Sequence, residues 1–220
     1  MKCFILFLAP SIFIINSSCS QPPSTKSPGN ERVTGSVGGN CEGCEAIYES
    51  PLVFEKLEHI AWLPDWKDKG TKLVVQGVVY KPDGKTPAAG VVIYVYHTDQ
   101  NGVYAKKGNE TGWGKRHGYI RGWMRTNEKG EYRFTTLKPI AYPNSKIPAH
   151  IHVTIKEPGM NEYWIDEFVF DDDPFLTMEE RHKNKNRGGD GILIVTLKED
   201  ILEARRNIYL GKNIPNYLQQ

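Results

Sequence analysis

Two histidines separated by a single residue, His150 and His152, stand in the stretch Ile147-Pro148-Ala149-His150-Ile151-His152-Val153-Thr154-Ile155-Lys156. In an extended strand, residues i and i+2 project to the same face. His150, His152 and Thr154 therefore share one face, and Ile151, Val153 and Ile155 share the other. The apolar set is the natural core face, which leaves two imidazoles side by side and pointing away from it. Neutral imidazoles held this way on a stiff strand make half of a metal site. Such a pair also occurs on plain surface strands, so the remaining ligands must come from elsewhere in the chain.

Two tyrosines stand where such ligands are needed. Tyr142 precedes the pair in a turn fixed by Pro143, and Tyr104 follows the turn Asp99-Gln100-Asn101-Gly102. Around them run Gly77-Val78-Val79, Asp83-Gly84, Pro87, Val91 through Asp99, Arg121-Gly122-Trp123 and Arg125-Thr126-Asn127. Gly130 through Phe134, Thr136, Pro148 through His152 and Phe170-Asp171-Asp172-Asp173-Pro174 complete the pattern. With these residues, over about residues 72–175, the sequence resembles the intradiol ring-cleavage dioxygenases, non-haem ferric enzymes that open catechol rings. The resemblance implies a β-sandwich, Fe(3+) as cofactor, and Tyr104, Tyr142, His150 and His152 as its ligands. It also implies an aromatic diol and O2 as substrates, with a displaced tyrosinate acting as base. Tyr142 and Tyr104 would then be catalytic as well as metal-holding.

The residue types suit that chemistry. Ferric iron is a hard cation that favours anionic oxygen donors and accepts imidazole beside them. A free phenol has a pKa of about 10, so a tyrosine binds metal at neutral pH only when the cation drives its proton off. The reaction needs no external reductant, and the chain carries no strand-linked G-x-G-x-x-G or P-loop pattern. Two positions depart from the family. Its arginine three residues before the first histidine is Ile147 here, and a glutamine of the family aligns with Glu167. On an extended segment Lys146 would point away from Ile147's side, which leaves Arg116 and Arg121 as substitute cations if their loop folds over the site.

The elements that must position these residues read as strands. Short β-branched and aromatic runs cover Lys72–Tyr80, Val91–His97, Glu131–Leu137, His150–Lys156, Trp164–Phe170 and Gly191–Lys198. Turn signals at Pro82-Asp83-Gly84, Asn101-Gly102, Lys129-Gly130 and Pro158-Gly159 punctuate them. This predicts an all-β fold, an antiparallel two-sheet β-sandwich over residues 72–200. An N-terminal arm over 46–71 with Trp62 and Trp66 packs on it, and the tail over 201–220 follows, a short C-terminal helix being expected across Glu199–Arg206. The glycine- and aromatic-rich stretch Lys107–Trp123, with Trp113, His117 and Tyr119, reads as a long loop, either a substrate lid or packed surface.

Residues 1–18 read as a secretory signal, with Lys2 followed by an apolar run from Phe4 to Ile15, too short to span a membrane. Ser17 and Ser18 before Cys19 resemble a lipoprotein cleavage site, which predicts a membrane anchor on Cys19 and an exported location. Residues 19–45 then form a flexible tether ending in the C-x-x-C of Cys41 and Cys44, for which a local disulfide is expected in an oxidising compartment. With 28 basic against 26 acidic residues the chain has no electrostatic footprint for nucleic acid. The basic stretch Arg181–Arg187 reads as a solvated loop. Oligomeric state is open.

Two other function classes compete: a non-catalytic β-sandwich binding module of an envelope lipoprotein, and an enzyme of another metal such as zinc. The tyrosine pair discriminates, because neither alternative calls for two phenolates.

Overall fold

The computed structural model describes residues 36–217. The expected signal, Cys19 and the tether as far as residue 35 lie outside the described residues. From its start the chain runs through β1 (Ile60–Trp62), β2 (Lys72–Tyr80), β3 (Val92–His97), a short helix α1 (Gly114–His117), β4 (Arg121–Arg125), β5 (Glu131–Leu137) and β6 (His150–Lys156). It continues with β7 (Tyr163–Trp164), β8 (Phe168–Phe170), helix α2 (Met178–Lys183), β9 (Ile192–Leu193), β10 (Val195–Lys198), β11 (Ile201–Arg205) and β12 (Ile208–Tyr209). β2, β5 and β6 have the bounds their alternation predicts.

Two sheets face each other. One has the order β1-β5-β2-β11-β10 with β12 also on β2, and the other β4-β3-β6-β8-β9 with β7 on β6. The sandwich is as expected, but its sheets are mixed. The arm lays β1 parallel to β5, the tail lays β11 and β12 parallel to β2, and β8 runs parallel to β9.

The tail corrects the expected helix. Glu199 and Asp200 take φ of 48° and 66°, and Lys198 pairs with Ile201, so two left-handed residues close a tight hairpin between β10 and β11. That turn geometry matches the right-handed twist of the strands it joins. Its usual sequence signal is Asn-Gly or Asp-Gly, where this hairpin has Glu199-Asp200, and without the turn the segment has ordinary helix formers. Hydrogen bonding along five positions of β2 decides in favour of strand.

Ile151, Val153 and Ile155 of β6 are 0%, 3% and 0% exposed and pack between the sheets with Val75, Tyr132 and Phe134 of the opposite sheet. Each such side chain contributes about 1.5–3 kcal/mol through burial, enough to fix the register of β6. The opposite face of β6, the histidine face, is covered too. Ala46 and Ile47 of the arm pack on Val92 and Tyr94 of β3. A disulfide joins Cys41 and Cys44 at the head of that arm, and the Thr154 hydroxyl lies 3.8 Å from Cys44 Sγ.

Candidate metal centre

β6 supplies the two histidines on one face. The tyrosines come from two loops that are tied to each other. Asp99 organises the first loop by accepting hydrogen bonds from the amides of Asn101 (2.8 Å) and Val103 (3.1 Å). The Thr98 hydroxyl donates to the Ile140 carbonyl at 2.7 Å, joining that loop to the one carrying Tyr142. Gly102 lets the loops touch: its φ is +72°, and a β-carbon there would lie 2.2 Å from the Ala141 carbonyl oxygen. A backbone conformation and a close approach both demand glycine at this point.

The four side chains end at one place. The Tyr104 hydroxyl oxygen lies 2.7 Å from His152 Nε2, and the Tyr142 hydroxyl donates to His150 Nε2 at 3.1 Å. The two hydroxyls are hydrogen-bonded to each other, and the two Nε2 atoms are 3.2 Å apart. The outer nitrogens are held as donors. His150 Nδ1–H donates to the Pro148 carbonyl at 2.7 Å, and His152 Nδ1–H to Glu167 Oε1 at 2.8 Å. This fixes the tautomer of both rings and turns both Nε2 lone pairs inward.

Electrostatics favours a cation at that point. Burial keeps the His150 imidazole neutral by pushing its pKa down. It pushes the phenols of Tyr104 and Tyr142 above their ordinary value, so neither ionises unaided. Burial also works against the Glu167 carboxylate, yet the hydrogen bond from His152 holds it below the ordinary carboxylate range. Two inward imidazole lone pairs, two phenols and a nearby carboxylate form an electron-rich pole. A metal ion displacing the two phenolic protons would neutralise it. The donor set, two nitrogens and two oxygens, fits ferric iron.

Glu167 gained no role from the sequence beyond its departure from a glutamine. Its signal is in the register. β6 and β8 pair His150 with Val169 and Ile151 with Phe168, and one more step sets Glu167 opposite His152. Tyr96 is another supporting residue that sequence reasoning missed. It faces His152 across the β3–β6 pair, its ring stacked on that imidazole at 4.4 Å and on His117 at 3.7 Å. His117 is buried, with Nδ1 hydrogen-bonded to the Tyr94 hydroxyl at 2.8 Å, and packs rather than reaching the cluster. The stretch expected as one long loop is thus partly structured, with α1 and the start of β4 inside it.

Arg116 and Arg121, the candidate substitute cations, are committed elsewhere. Arg116 pairs with Glu42 at 2.5 Å and Arg121 with Glu49 at 2.7 Å. Ile147 is half exposed and lines a cavity of about 310 Å³ that also touches His150 and Glu167. The same cavity is bordered by Arg181, Lys183 and Lys185. Half of the stretch read as a solvated loop therefore faces the neighbourhood of the site.

Comparison with known proteins gives the same direction. The family Dioxygenase_C, described as dioxygenase, matches residues 54–187. Catechol 1,2-dioxygenase 1 of Acinetobacter lwoffii is 28% identical over 166 residues, covering 63% of this chain and 52% of that protein. The 6-chlorohydroxyquinol 1,2-dioxygenase of Cupriavidus pinatubonensis is 31% identical over 139 residues, covering 54% and 48% respectively. The chain spans about half the length of these curated relatives. The crystal structure of 3-chlorocatechol 1,2-dioxygenase from Rhodococcus opacus 1CP superposes with a TM-score of 0.52 at 20% identity, covering 68% of this chain and 63% of that one, which is a likeness of fold.

Proposed function

This chain belongs to the Dioxygenase_C family of dioxygenases, and on that premise we propose that it is an intradiol ring-cleaving enzyme that holds ferric iron through Tyr104, Tyr142, His150 and His152. One observation carries the reading: four donor atoms from β6 and two separate loops converge on one point, with both histidine tautomers set for inward coordination. A binding module has no use for that convergence.

Ferric iron, when bound, would supply a Lewis acid that brings a catechol-type diol into an oxidisable state toward O2. The chain's own residues do the rest. Tyr104 and Tyr142 give up their phenolic protons on loading, and one of the two phenolate oxygens then receives a proton from an incoming hydroxyl of the substrate. Burial raises the proton affinity of both phenols when no cation holds them, which suits a released phenolate to that role. His150 and His152 stay neutral and fixed, held by Pro148 and Glu167. Overall the ring bond between the two hydroxyl-bearing carbons breaks and both oxygen atoms of O2 enter the product, a dicarboxylic acid. No other reductant enters the balance.

The test is colour and oxygen uptake. Protein loaded with ferric salt should turn reddish-brown from tyrosinate-to-iron charge transfer and consume one O2 per diol opened. A colourless protein after loading sinks the proposal.

The reading extends to location. The apolar run Phe4–Ile15, the small residues before Cys19 and the disulfide of Cys41 with Cys44 support export and lipid attachment at Cys19. Labelled fatty acid should enter the wild-type chain and not Cys19→Ser; no label in the wild type removes the anchor without touching the chemistry.

A further inference from the structure

The cavity beside His150 has walls of unequal character. We propose that it holds the ring substituent of the diol, and that this substituent is an uncharged alkyl or aryl group; the proposal rests on the dioxygenase reading of the adjoining donor cluster.

Three observations carry it. The cavity is lined by His150 of the donor cluster and by Glu167, the partner of His152, so a ring whose hydroxyls face the cluster extends its far side into this space. Its volume, about 310 Å³, lies within the range of pockets that bury whole drug-sized ligands. That is more room than the eight non-hydrogen atoms of a bare benzenediol fill. Its apolar wall is formed by Ile147, Pro148, Trp164, Val169, Leu176 and Ile192. Trp164 is held in place by the Arg187 guanidinium, stacked 3.4 Å from the centre of its ring.

The charges around the cavity argue against an acidic substituent. Glu167 stands on the inner side against His152, and Asp166 is buried beside it with Oδ2 unpartnered. A carboxylate placed on the ring would share the cavity with both, and like charges repel in a partly dry site. The cations bordering the cavity have partners of their own. Lys183 pairs with Glu180 at 2.5 Å, and the Arg181 guanidinium donates to the Asp171 carbonyl at 3.3 Å. Lys185 lies exposed over the outer Trp164 ring.

The experiment compares catechol, 4-tert-butylcatechol and 3,4-dihydroxybenzoate in two arms. Iron-loaded protein should show kcat/KM for the tert-butyl diol roughly tenfold or more above both others, the scale set by burying extra methyl groups in an apolar pocket. Iron-free protein, titrated by tryptophan fluorescence, should bind the tert-butyl diol most tightly, with the signal lost in Trp164→Phe. Ile147→Ser, at a half-exposed position the fold tolerates, should narrow the preference in both arms. A ratio near one, or a preference for the acid, in either arm overturns the proposal. If no diol is cleaved at all, the dioxygenase reading falls, while the titration still decides what the cavity takes.

Discussion

Glu167 Oε1 accepts the Nδ1 proton of His152 at 2.8 Å, whereas the same nitrogen of His150 meets only a backbone carbonyl at 2.7 Å. The two histidines are chemically unequal as a result. A carboxylate partner makes the opposite ring nitrogen the more basic donor, and removing such a partner typically costs about 10–100-fold in metal affinity. Glu167→Gln keeps an acceptor but loses the charge, so it should retain iron with the absorption band moved, because His152 then donates less electron density. Glu167→Leu should lower iron affinity by that 10–100-fold. Competition with a chelator and the visible spectrum measure both; unchanged values in both variants would show that the carboxylate does not act through His152.

The donor set makes a separable prediction. His150→Ala and His152→Ala each delete a nitrogen whose tautomer is already fixed for coordination, and each should abolish iron retention. Tyr104→Phe and Tyr142→Phe remove one oxygen apiece while leaving the ring packing, so they should weaken retention and shift the band without lowering the melting temperature by more than a few degrees. Iron content by metal analysis, read beside the melt, separates loss of ligand from loss of fold.

Gly102 should matter although it carries no side chain. A β-carbon there would lie 2.2 Å from the Ala141 carbonyl, and its φ of +72° is strained for any other residue. Gly102→Ala must push apart the loops bearing Tyr104 and Tyr142. We expect a loss of about 1–3 kcal/mol in stability and a weakened charge-transfer band at saturating iron. Urea unfolding and the band intensity per bound iron report the two effects independently.

Acid should destabilise the iron-free protein through its buried histidines. Burial depresses the His117 pKa from 6.5 to about 4. The folded state therefore takes up its proton at lower pH than the unfolded chain. Stability is complete above about pH 6.5 and falls as pH drops toward 4, by up to about 3 kcal/mol for this one group. Burial depresses His97 and His150 in the same direction. His117→Phe should lose about 1 kcal/mol at pH 7 with the Tyr94 hydrogen bond but show a shallower decline between pH 6.5 and 4. Denaturation midpoints across that range check the slope, and an equal slope in the variant would remove His117 from the account.

Sequence alone determined what depends on neighbours a few residues apart. The alternation in His150–Lys156 placed Ile151, Val153 and Ile155 in the core and put both imidazoles on the other face, because side-chain direction in a strand has a period of two. The bounds of β2, β5 and β6 followed from the same local rule. Tertiary structure decided everything that rests on partners distant in the chain. Strand β11 forms because Glu199 and Asp200 turn left-handed and five backbone positions then bond along β2, a gain no local propensity reports. Arg121 is taken up by Glu49, 72 residues away, and Glu167 reaches His152 only through the β6–β8 register. The donor cluster shows both kinds of information at once. Its residues were legible through the family resemblance and through the donors that a ferric ion would call for, but their convergence, their tautomers and the cavity beside them come from long-range packing, where the free energy lies in contacts the linear order does not contain.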